Sequence, residues 1–75
     1  MTRPVGSPWQ GQAPTHCDVC RRPLKATFVD GRTQLGPWAI MCPSCRVDIG
    51  PLELGTGRGQ KYERKPGQAW VKTAG

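Results

Sequence analysis

Two cysteine brackets constrain this chain more than anything else in it: Cys17-x-x-Cys20 and Cys42-x-x-Cys45, which hold all four of its cysteines. A two-residue spacer lets one tight turn present two thiolates as adjacent corners of a tetrahedron, and two such knuckles meeting at one ion close the coordination shell with four soft ligands. That is the donor set of a structural zinc site, so the spacing predicts one Zn2+ held by Cys17, Cys20, Cys42 and Cys45. The 21 residues between the brackets then become a loop tied at both ends, and the fold is built around that tie.

The rest of the composition makes a staple necessary. A chain of 75 residues buries only about 60% of its unfolded surface, and here 36% of residues are hydrophobic while Gly and Pro contribute 10 and 8. A structural zinc contributes on the order of 10 kcal/mol, which becomes folding free energy when the unfolded chain has no site. Two disulfides would need an oxidising compartment, and the N-terminal Met-Thr-Arg-Pro-Val-Gly lacks the apolar core of a signal peptide. No apolar run is long enough for a membrane span. The reading is therefore a reduced, cytoplasmic metal protein without a membrane partner. A thioredoxin-like redox role is disfavoured, because a redox CxxC opens a helix after a strand in a larger fold.

The formal charge is +6, and four thiolates with one zinc would bring it to +4. Within residues 15–54, Arg21, Arg22, Lys25, Arg32 and Arg46 face Asp18, Asp30, Asp48 and Glu53, so this part is close to neutral once the site is filled. Residues 55–75 carry Arg58, Lys61, Arg64, Lys65 and Lys72 against Glu63 alone. Basic character thus concentrates after residue 54, and it favours an acidic partner such as nucleic acid.

Three segments follow from local chemistry. Residues 1–14, broken by Pro4, Gly6, Pro8, Gly11 and Pro14, read as a flexible arm whose Trp9 either folds back or stays loose. Residues 15–54 form the metal domain. His16 abuts the first knuckle, but with four cysteines present it is expected beside the site and not in it. Arg21, Arg22 and Arg46 follow the knuckles and either contact phosphate or offset the charge of the thiolates. Asp30-Gly31 is a two-residue type I′ turn signal, predicting a hairpin over 24–35 with Ala26, Phe28, Thr33 and Leu35 on one face. Trp38-Ala39-Ile40-Met41 reads as a third strand, with Trp38 and Ile40 completing the core. After the second knuckle the chain either leaves extended, as in a zinc ribbon, or enters a short helix ended by Gly50-Pro51, as in a treble clef. The expected architecture is the ribbon, with a three-stranded antiparallel sheet.

Residues 55–65, Gly-Thr-Gly-Arg-Gly-Gln-Lys-Tyr-Glu-Arg-Lys, begin a Gly-rich basic segment expected to be partly disordered. Its alternating glycines permit an anion-binding nest. It is neither a P-loop, which needs Gly-Lys-Ser/Thr, nor a dinucleotide fingerprint, which needs GxGxxG in a βαβ unit. Together with Arg32, the side chains of Arg58, Lys61, Arg64 and Lys65 are the predicted contacts to a phosphate backbone. Trp70 and Val71 are apolar residues stranded in a basic tail, and the sequence gives them no assignment.

The stretch from His16 to Glu63 resembles the small stand-alone zinc-ribbon proteins of bacteriophages and prophages. Its Cys-Asp-Val-Cys, Thr-Phe-Val-Asp-Gly, Gly-Pro-Trp-Ala-Ile-Met-Cys-Pro-Ser-Cys and Gly-Thr-Gly-Arg-Gly-Gln-Lys-Tyr-Glu segments carry the likeness. The resemblance implies a phage protein working in a bacterial cytoplasm, and little about activity. Two functions follow as expectations: binding of DNA or RNA through the basic segment, or docking on a host protein such as RNA polymerase or a defence factor through the hairpin face, Trp38 or Trp70. Catalysis and a small-molecule substrate are not expected, since a four-thiolate shell leaves no open position on the metal and the chain has a single histidine.

Overall fold

A computed structural model describes residues 4–75. In chain order the elements are β1 (Thr27–Arg32), β2 (Trp38–Met41), α1 (Pro43–Ile49), β3 (Gly59–Glu63) and β4 (Val71–Ala74). The strands form one sheet in the order β2-β1-β3-β4, antiparallel throughout.

The predicted turn at Asp30-Gly31 is not where the chain reverses. Both residues lie inside β1, Asp30 opposite Ile40 and Gln60 and Gly31 opposite Ala39 and Gly59. The reversal comes after Arg32, where the Thr33 N–H and Oγ1 both donate to the Pro37 carbonyl, at 3.0 and 2.7 Å, and Gly36 takes a φ of +112°. Gly31 serves a close crossing and not a bend. A Cβ there would sit 2.9 Å from the Arg58 carbonyl oxygen and 3.1 Å from Pro51 Cγ, a gap only glycine fits. Moving the turn removes Leu35 from the core, where it is 80% exposed, and leaves Trp38 at 47%. Phe28 and Thr33 are both buried, while Ala26, expected on the same face, is exposed.

The missing core is supplied by the segments expected to be loose. Residues 55–75 are not a disordered tail: they contribute β3 and β4, and with them Tyr62 and Trp70, both buried. Phe28 stacks on its cross-strand neighbour Tyr62 at 5.2 Å between centroids. Trp70 meets the Phe28 ring edge-on at 4.7 Å. Trp9 folds back from the arm and packs edge-on against Phe28 and Tyr62, at 5.5 and 5.1 Å. With so few large apolar residues, each aromatic pair, worth about 1 kcal/mol beyond its buried area, carries a large share of the packing.

The opposite face of β1, holding Val29 and Gly31 by strand alternation, is covered by α1 and Pro51. Val29 pairs with Met41, and both are buried. The helix also corrects the expected extended exit from the second knuckle, and it is the element the treble-clef alternative required. Cys42 caps it in an extended conformation with Pro43 at its first position, where the missing N–H costs nothing. It ends after two turns at Gly50, whose N–H donates to the Arg46 carbonyl at 2.8 Å.

Both edges of the sheet are occupied. On β2, the outward N–H of Ile40 donates to Asp18 Oδ2 at 2.9 Å, and the Asp18 N–H donates to the Ile40 carbonyl at 2.8 Å. On β4, residues 6–9 run alongside: the N–H groups of Gly6 and Trp9 donate to the carbonyls of Lys72 and Trp70, and the Lys72 N–H donates to the Ser7 carbonyl. Open edges invite pairing with other chains, and the first knuckle and the arm close these.

Candidate metal centre and basic surface

The first knuckle is a tight loop held by its own backbone. The Cys17 N–H donates to the Arg22 carbonyl and the Arg21 N–H returns to the Cys17 carbonyl, each at 2.9 Å, with Arg21 in the left-handed region at φ +66°. The second knuckle uses a helix start instead, with Cys42 at the cap and Cys45 in the first turn. The bond between Asp18 and Ile40 in β2 brings the two together. All four Sγ atoms then lie within 4.8 Å of one another, and those of Cys20 and Cys42 are 3.7 Å apart. Cys17 and Cys45 are buried, while Cys20 and Cys42 are half-buried. This arrangement can hold one metal ion. His16 stays outside it, exposed and hydrogen-bonded through Nδ1 to Thr15 Oγ1 at 2.9 Å.

The surroundings favour thiolates at one side of the cluster. Burial works against a charged Cys17, but the backbone N–H groups of Cys20, Cys42 and Val19 point at its sulfur and hold the thiol below its ordinary value. Cys20 is brought down to about 6, first by the Arg22 N–H, against burial, and then by the Arg22 side chain. Cys45 is pushed up to about 12, by burial first and then by the neighbouring sulfurs. Arg22 is the cation of the site: its bond to Cys20 and the charges of Cys20, Cys42 and Cys45 all favour its protonated form. Arg46 does not share this role, since its Nε donates to the Pro51 carbonyl at 3.4 Å.

The five predicted phosphate contacts do not form one patch. Arg32 is exposed at the far end of β1, and Arg58, at the start of β3, is ion-paired with Glu53. Both line a groove of about 540 Å³. Lys61 pairs with Glu63 at 3.9 Å. Arg64 and the exposed Lys65 lie at the other end of the β1–β3 ladder. Arg64 is largely committed to the fold, its Nε and Nη2 donating to the carbonyls of Lys25 and Leu24 at 2.9 and 3.2 Å. The alternating glycines do not form an open nest. The Gly55 N–H donates to the Gly59 carbonyl, and the N–H groups of Arg58 and Gly59 both return to the Gly55 carbonyl.

What the sequence did not reveal is the company Arg64 keeps. Its backbone N–H bonds to the Ala26 carbonyl at 3.0 Å, which sets the tail against the loop after the first knuckle. Two grooves meet there and share Lys25 and Ala26. One, of about 530 Å³, runs past Arg22 and Ser44 to Cys42; the other, of about 430 Å³, passes Arg64 and Pro66. Arg22, Lys25 and Arg64 line them, with Arg21 and Lys65 next to these in sequence, and among the described residues Arg21, Lys25 and Lys65 have no carboxylate ion pair. The signal in the sequence was the Arg-Arg-x-x-Lys run, whose two arginines read either as phosphate contacts or as compensation for the thiolates.

The fold and centre define a small antiparallel β protein with a four-cysteine site for a metal ion. No family model, curated protein or solved structure matches the chain. Among the described residues no helix is long and apolar enough to cross a membrane.

Proposed function

We propose that this is a zinc-stapled nucleic-acid-binding protein whose contact surface is the basic loop–tail junction beside the metal centre. Zinc fits the donor set: a tetrahedron with metal–sulfur distances of about 2.3 Å has sulfur–sulfur edges of about 3.8 Å, against 3.7 Å between the Cys20 and Cys42 sulfurs. Four thiolates and one zinc leave a net −2, which Arg22 faces, and they leave no open coordination position, so the role of the metal is to hold the fold. The observation that carries the binding reading is the pair of grooves joined at Lys25, with cations from both segments at their rims. A phosphate backbone is the ligand such a strip attracts without regard to sequence. The bacterial cytoplasm and a phage origin rest on the sequence resemblance alone.

The test is fluorescence anisotropy with labelled single-stranded DNA, RNA and duplex at several salt concentrations. On duplex DNA, log affinity should fall with log salt by about 0.9 per phosphate neutralised. Lys25→Glu with Lys65→Glu should flatten that slope. Charge reversal is the right probe, because deleting residues 55–75 would remove two strands. Failure of all three nucleic acids to bind at low salt would end this reading.

A further inference from the structure

We propose that the groove at the other end of the sheet, between Gln34 and Leu52, is a docking site for an acidic peptide segment bearing aliphatic side chains. This goes beyond the nucleic-acid reading and uses different residues. The groove, of about 540 Å³, is lined by Arg32, Gln34, Pro51, Leu52, Glu53 and Arg58 among others, and its volume falls in the range of ligand-binding clefts.

Its walls are fixed before any ligand arrives. The Gln34 N–H donates to the Ile49 carbonyl at 2.7 Å and its Nε2 to the Gly50 carbonyl at 3.4 Å, pinning the β1–β2 turn to the exit of α1. Pro51 is wedged where Gly31 and Gly59 lack side chains. A pre-formed cleft spends little free energy on ordering when it binds. Leu52 is nonetheless 90% exposed there. A leucine held out on a braced segment, with Pro51 beside it, offers an apolar grip.

Charge selects the partner. Arg32 has no carboxylate ion pair among the described residues, and Arg58 is held only by Glu53, both side chains being well exposed. A solvent-exposed pair is worth little, so a ligand carboxylate can replace Glu53 and also take the free guanidinium of Arg32, a bidentate donor suited to carboxylates. A second copy of this chain, carrying the same formal +6, is repelled. Nucleic acid is the weaker occupant, because the lining contains no aromatic ring on which a base could stack.

The experiment is an NMR titration of the isotopically labelled, metal-loaded protein with three short synthetic peptides: one of Glu and Leu, its Gln/Leu counterpart and its Glu/Ser counterpart. The Glu/Leu peptide should saturably shift the amides of Arg32, Gln34, Leu52 and Arg58, with the other two at least tenfold weaker. Leu52→Ser, at a site exposed enough to spare the fold, should weaken the Glu/Leu peptide to the same degree, while Lys25→Glu should leave it unchanged. Equal binding of all three peptides, shifts mapping elsewhere, no saturation, or unchanged binding to Leu52→Ser would overturn the proposal. Displacement of the peptide from these amides by single-stranded DNA at lower concentration would overturn it too, in favour of a nucleic-acid occupant.

Discussion

The Arg64 guanidinium lies 4.2 Å from the centre of the Trp70 indole, so a residue that reads as a phosphate contact is the cover over the aromatic core. The same group ties down the loop after the first knuckle through Leu24 and Lys25. Arg64 therefore couples the metal module to the aromatic cluster.

Arg64→Ala should destabilise the protein by about 2 kcal/mol, the combined scale of one cation–π contact and two modest hydrogen bonds. A urea melt of the metal-loaded protein reads this as a lower midpoint. Lys65→Ala, one residue on and exposed, should leave the midpoint where it is. Equal midpoints for both variants would mean that the Arg64 clip contributes nothing.

Chelation should unfold the chain. The core left without metal is a small aromatic cluster with Leu24, Val29 and Met41, while structural zinc contributes on the order of 10 kcal/mol. Removal with a strong chelator should abolish near-ultraviolet circular dichroism, and Co2+ should restore it with tetrathiolate absorption bands. Because protons compete for the sulfurs, metal retention should weaken as pH falls. Native spectra surviving complete metal removal would show that the sheet stands by itself.

Gly31→Ala should cost about 1–3 kcal/mol, the usual range for overpacking, because the new methyl would meet the Arg58 carbonyl oxygen at 2.9 Å. At a true type I′ turn the penalty would come from positive φ instead, and asparagine would relieve it. Gly31→Asn should therefore be at least as damaging as Gly31→Ala in thermal melts. Rescue by asparagine would restore the turn reading.

Asp30 gives a pH-dependent test. Burial first, and then the nearby charge of Asp18, hold its carboxyl above the ordinary aspartate value. The native state thus holds this proton to higher pH than the unfolded chain does. Its ionised form opposes folding at neutral pH, and the opposition fades as pH drops through the folded pKa. Asp30→Asn should raise Tm at neutral pH, by an amount that shrinks in acid. A gain independent of pH would rule out titration of Asp30 as its source.

The metal centre was legible because ligand chemistry is local: a CxxC spacing specifies two corners of a tetrahedron whatever the rest of the chain does. Phe28 and the end of any helix at Gly50-Pro51 were legible for similar local reasons. Asp30-Gly31 was misleading because a glycine that admits a positive φ and a glycine that admits a crossing backbone look alike in sequence. Trp9, Tyr62 and Trp70 could not be placed in advance, since what orders them is the pairing of β1 with β3 and of β4 with residues 6–9. A Gly-rich basic composition describes the solubility of a segment, and it says nothing about a partner strand elsewhere in the chain.

The rail along β4 also has a consequence in time. Gly6, Ser7 and Trp9 are made well before Trp70 and Lys72, the residues whose backbone groups they bond. The fourth sulfur is made at residue 45, so the metal can be captured while the Phe28 ring still lacks Trp70 and Trp9 has no β4 to lie along. The seam between residues 6–9 and β4 therefore closes after the metal site can form. Hydrogen exchange on chains stalled before Trp70 should find β1 paired on both sides, while the β3 amides that face β4 stay unprotected.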